Sequence, residues 1–126
     1  MSSELGSRTN RAVGETMKKT FKLSADQVKP IATGYGACIA SDLITVEGHP
    51  VRFMYREAPA NSFDSGWRFL AGLESDAYMA VTENHAVYDV NTIANYDPSI
   101  IPLLDSPAGS VYEKWPDSEQ FVAVHD

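Results

Sequence analysis

The sequence has few of the residues from which disulfides and metal sites are built. Cys38 is its only cysteine, so no intrachain disulfide can form, which suits a reducing compartment. Its neighbours Ala37 and Ile39 put the thiol in an apolar segment, where a lone cysteine is expected to be inert core rather than a nucleophile. His49, His85 and His125 are far apart, and none belongs to a His-x-x-x-His or Cys-x-x-Cys pair. No metal and no cofactor is therefore expected. No apolar run approaches the roughly 20 residues of a membrane span, and Glu4 and Asn10 interrupt any signal-peptide core. The expectation is a cytoplasmic protein without a membrane partner. Glycines match neither a phosphate loop nor the dinucleotide fingerprint, which removes support for nucleotide chemistry.

Positive charge is scarce beyond the N-terminal segment. Residues 1–30 carry six Lys/Arg against three acids, whereas residues 31–126 carry four against fourteen. Such a field repels phosphate backbones and attracts basic surfaces, so nucleic acid is an improbable ligand and a basic protein partner the natural one.

What is present is globular: 126 residues, 44% hydrophobic and 21% charged, enough for one domain. Residues 1–20 read as a flexible N-terminal extension, with the domain over 21–126 and its core beginning between Phe21 and Ala37. Glu15 to Val28 holds at most one or two short helices before Pro30. Cys38 to Val46 reads as a strand and Glu47 to Pro50 as a turn. Val51, Phe53 and Tyr55 alternate with Arg52, Met54 and Arg56 in a second strand, expected to be the hairpin partner of the first. Trp67 to Ala71 is a third strand, Glu74 to Met79 a helical turn and Ala86 to Val90 another strand. Asn91 is expected to cap a turn through Thr92 to Tyr96, and Asp97-Pro98 to start a short helix over Ser99 to Leu104. Ser110 to Trp115 and Gln120 to Val124 flank the turn Pro116 to Glu119. The class is α+β, a small mainly antiparallel sheet with short helices.

Two blocks concentrate unusual chemistry. Arg56, Glu57, Asp64, Trp67 and Arg68 flank one loop, and pairing of their strands would bring the arginines together at its base. The preferred reading is an arginine–carboxylate network with Trp67 in the core. The alternative is a small enzyme or ligand-binding domain with a pocket around Arg56, Asp64 and Arg68. Candidate partner-binding residues are Glu74, Asp76 and Tyr78 in an acidic cluster, and Asn95 and Tyr96 in an amide-rich block whose side chains also suit turns.

The same blocks occur as ordered motifs: Tyr-Arg-Glu-x-Pro (55–59), Asp-Ser-Gly-Trp-Arg-Phe (64–69), Asp-x-Tyr-Met (76–79) and Asn-Thr-Ile-Ala-Asn-Tyr-Asp-Pro-Ser-Ile (91–100). Leu104-Asp105-Ser106-Pro107 and Gly109-Ser110 follow. Together they resemble immunity protein family thirty-three of bacterial polymorphic toxin systems, over about Ala37 to Val122. The resemblance implies a small α+β domain that binds and neutralises a cognate toxin without catalysis. Leu73 and Ala77 stand where the family is expected to carry more polar or acidic residues, which implies a different partner if that surface contacts the toxin.

Overall fold

Among the described residues six strands form one sheet: β1 (Ala37–Ser41), β2 (Phe53–Arg56), β3 (Asp64–Leu70), β4 (His85–Asp89), β5 (Val111–Lys114) and β6 (Phe121–Ala123). The computed structural model describes residues 19–124. Residues 1–18 of the expected N-terminal extension, and His125, lie outside the described residues. The strand order is β4-β1-β3-β2-β5-β6. Only β1 with β3 is parallel, and the other pairings are antiparallel. With three short α-helices, α1 (Asp42–Thr45), α2 (Asp76–Ala80) and α3 (Val90–Tyr96), the class is the α+β one expected.

Two local expectations are corrected. The strand beginning at Cys38 does not run to Val46: the Ser41 hydroxyl accepts the Leu43 N–H at 3.1 Å, capping α1 with Asp42 in its first turn. A short apolar run reads equally as strand or buried helix, and here the Ser-Asp start signal decides. Nor do β1 and β2 form a hairpin, because β3 lies between them. The chain leaves the sheet at α1, and β3, buried from Ser65 to Phe69, takes the central place. At the third helix it is Asp89, not Asn91, that caps, its carboxylate accepting the Asn91 N–H at 2.8 Å.

Other start signals operate as expected. Asp97 accepts the Ser99 N–H ahead of the 3₁₀ helix Pro98–Leu103, whose first residue is proline. Proline there forfeits no intrahelical hydrogen bond. β5 and β6 form the expected C-terminal hairpin.

Strand alternation sends Met54, Trp67, Phe69, Cys38 and Ala40 to one face, where they meet Val90, Ile93 and Ala94 of α3 together with Ile100 and Leu104. Trp67 and Phe69 stack with ring centres 6.0 Å apart. Trp67 Nε1 donates to the Leu104 carbonyl at 3.1 Å, so the indole buries its ring without orphaning its only polar atom. Gly66 lies in β3 at φ +91°, and a Cβ there would run into the Glu57 carbonyl oxygen. That close approach lets β2 and β3 run on past Arg56, with Glu57 N donating to Gly66 O.

Candidate functional site

Among the described residues no helical layer covers the centre of the opposite face of the sheet. Register places Ile39, Val87, Tyr55, Arg68, Phe53 and Leu70 on it. α2 and the turn Thr82–Asn84 stand along one side, so that Met79, Thr82 and His85 face Ile39, Arg68 and Leu70 across a groove of about 410 Å³. Its rim is apolar and open to water: Val87 is 69% exposed, Met79 41% and Ile39 36%. On the same face Val122 of β6 is 41% exposed.

Arg68 forms part of the groove floor. Its Nη1 and Nη2 donate to the two oxygens of Asp64, each at 2.9 Å, and Nε donates to Glu57 Oε2 at 2.7 Å. This is the fork-to-carboxylate geometry that only a planar guanidinium supplies. Asp64 also accepts the Ala60 and Gly66 N–H groups, closing the loop between β2 and β3. The Arg68 bond holds the Asp64 carboxyl far below its ordinary range, and the same bond raises the guanidinium further. Burial, seconded by the charge of Glu57, pushes the nearby Tyr55 phenol up, so it remains a neutral hydrogen-bonding group.

Pairing of β2 with β3 sets Arg56 opposite Trp67 and Tyr55 opposite Arg68. The two arginines therefore occupy opposite faces of the sheet and share no pocket. Arg56 lies over the Trp67 ring, 5.6 Å from its centre, and donates to the carbonyls of Ser65 and Ser106. The alternative pocket joining Arg56, Asp64 and Arg68 is thus divided: Asp64 and Arg68 meet, and Arg56 ties β2 to the loop after the 3₁₀ helix.

The other candidate residues separate likewise. Glu74 accepts the N–H groups of Ala71, Gly72 and Leu73, capping the turn that ends β3. Asp76 is exposed in the first turn of α2, and Tyr78 packs edge-on against His85 at the groove wall. His85 Nε2 is buried with no hydrogen-bond partner among the described residues. Asn95 and Tyr96 lie on the α3 side. Asn95 exchanges hydrogen bonds with the Lys29 backbone, while the Tyr96 hydroxyl donates to the Thr45 carbonyl and accepts from Leu23 N–H.

Asn91, expected only as a local cap, instead accepts the Ile31 and Ala32 N–H groups and secures the lead-in to β1. Sequence reasoning passed over Ile39, Leu70 and Val87 as groove residues. The available signal was Val87, an apolar residue out of phase with the inward Ala86 and Tyr88. Burial, with Asp89 a secondary influence, pushes the Cys38 thiol far above its ordinary value, which disfavours the nucleophilic thiolate. Among the described residues no group of three or more His, Cys, Asp or Glu could hold a metal ion.

The family model for the immunity protein Imm33 domain matches residues 38–125. This chain belongs to the Imm33 family. The Imm33 match takes in nearly all of β1 and every later strand, both sides of the groove and the whole Arg68 network. It leaves outside the lead-in through residue 37, although Asn91 and Asn95, inside the match, hold that lead-in down. Comparison with curated proteins and with solved structures finds no match. No helix among the described residues of this Imm33 chain is long and apolar enough to cross a membrane.

Proposed function

We propose that this chain is a non-catalytic immunity protein that binds a cognate toxin and neutralises it by occlusion. The observation that carries the reading is the sheet face that the described residues leave open, where a groove rimmed by exposed Val87, Met79 and Ile39 lies on an Imm33 domain. Apolar side chains clustered on an otherwise polar surface mark a surface made for a protein partner. The chain carries a formal charge of −7, so a basic toxin surface is the complement and long-range attraction speeds the encounter. Asp76 and Tyr78, on the α2 side of the groove, are assigned to the contact. Asn95 and Tyr96 are assigned to holding the lead-in. Action in the cytoplasm belongs to the same reading and accords with the single buried, unpaired thiol of Cys38.

The test is to look for a toxin-domain gene beside this chain's own and to co-express the two. Growth is expected to be restored by the parent and not by an empty vector. A toxin that kills equally in both cases overturns the assignment.

A further inference from the structure

The groove has features that select its occupant. Its walls and floor are mainly Ile39, Leu70, Met79 and Val87; of the polar groups between them the Arg68 guanidinium is engaged, and His85 Nε2 is buried without a partner among the described residues. Among the described residues Arg68 is the only Lys or Arg lining it, and its guanidinium is held by Asp64 and Glu57. A small anionic ligand would find the Arg68 charge already met and His85 Nε2 sealed from solvent, although the volume of about 410 Å³ would accommodate one. An apolar side chain needs no such groups.

The charge at the rim adds a second selection. Asp64 is 10% exposed and sealed under Arg68, whereas Glu57 is 52% exposed, so a second cation can reach its carboxylate. A carboxylate sharing one arginine still attracts another cation, because the chain is acidic and no second Lys or Arg lines the groove among the described residues.

We propose that the groove takes a bulky apolar side chain of the toxin, with an adjacent lysine or arginine of that toxin closing on Glu57. The inference rests on the immunity reading and deepens it: the toxin presents a basic protrusion tipped by an apolar residue. Burial of an apolar anchor at the centre of an interface, surrounded by a polar rim, is the arrangement in which a few residues dominate affinity. Val87 and Met79, exposed in the free protein, would be covered by it.

The experiment uses the full chain and, as probe, the toxin domain that the co-expression test identifies, made harmless by mutation, with affinity measured by calorimetry. Val87→Arg fills the groove mouth and adds a repelling charge at an exposed position of an edge strand, where folding should be preserved. Glu57→Gln removes the charge while keeping the side chain's shape. Asp26→Lys, exposed on the 3₁₀ turn Ala25–Gln27 that packs toward α3, is the control. Val87→Arg is expected to weaken binding by at least about tenfold and Asp26→Lys by less than about twofold. Glu57→Gln is expected to weaken it several-fold and to flatten the salt dependence. Circular dichroism should show all three folded. If the parent binds and both groove variants bind equally well, the groove assignment is overturned while the immunity reading stands. If the parent does not bind, the immunity reading falls and this inference with it. If light scattering shows a dimer of the parent that Val87→Arg converts to monomer, the groove belongs to a second copy and the toxin assignment is overturned.

Discussion

Lys114 Nζ lies 2.9 Å from Asp97 Oδ2 in the core, with the two side chains 1% and 10% exposed. The carboxylate does more than neutralise the lysine. Oδ2 also accepts the Val51 N–H at 2.9 Å, and Oδ1 accepts the Ser99 N–H and hydroxyl. One side chain thus joins the entry to β2, the start of the 3₁₀ helix and the end of β5.

The two partners are therefore not equivalent. Asp97→Ala is expected to cost about 3–5 kcal/mol, because it leaves a buried ammonium unpaired and removes the cap of the 3₁₀ helix. Lys114→Met should cost less, since Asp97 retains three donors from Val51 and Ser99 and the methionine can pack against Phe121, whose ring centre is 4.7 Å from Nζ. Urea denaturation of both variants measures the difference. Equal losses would show that the extra donors contribute nothing.

Acid should unfold the protein through two carboxylates. The Arg68 bond depresses Asp64. For Asp97, burial pushes upward, but hydrogen bonds from Ser99 and Lys114 outweigh it and the net shift is down. A carboxyl with a depressed folded value contributes stability that is complete above its unfolded value, near pH 4, and is lost as pH falls through the folded one. Stability is expected to decline from about pH 5 downward. Asp64→Asn should begin less stable and decline less steeply. A parallel pair of curves between pH 2 and pH 7 would exclude Asp64 as a contributor.

Glu74 and Asp76, adjacent members of one acidic cluster in the sequence, should respond differently to charge reversal. Glu74→Lys removes the acceptor of three backbone N–H groups at the end of β3 and is expected to cost about 1–3 kcal/mol. Asp76→Lys, exposed on α2, should leave thermal stability within about 0.5 kcal/mol. On the proposed function it should slow association with the toxin, and the effect should fade as salt rises. Differential scanning calorimetry and stopped-flow kinetics separate the two roles.

The strands, caps and composition were legible where the signal is local. Alternation over Val51 to Arg56 marks a strand, but its core face is that of Met54, with Phe53 and Tyr55 on the opposite side; the Asp97-Pro98 start signal is written within a few residues of chain. The strand order was not, because the insertion of β3 between β1 and β2 depends on where non-local apolar faces meet. Ser41 could have been read as a cap, but the apolar run around it gave a competing strand pattern. The partners of Glu74 and Asn91 are backbone groups, which no side-chain pattern advertises. Asp64 and Arg68 were legible as a network because they are four residues apart near a loop. Their separation from Arg56 required the register, since one step along a strand exchanges faces.

The strand order also sets when a growing chain can complete its sheet. β1 waits for β3 before its parallel pairing can close, and β2 waits for β5, which lies beyond the third helix in sequence. Until Lys114 emerges, Asp97 lacks its ionic partner and β2 presents an unpaired edge. On the proposed function, a truncated translation product offers its host no protection. Resistance would then lag behind messenger supply by the full time of synthesis, and the cell would depend on immunity protein made before the toxin arrives.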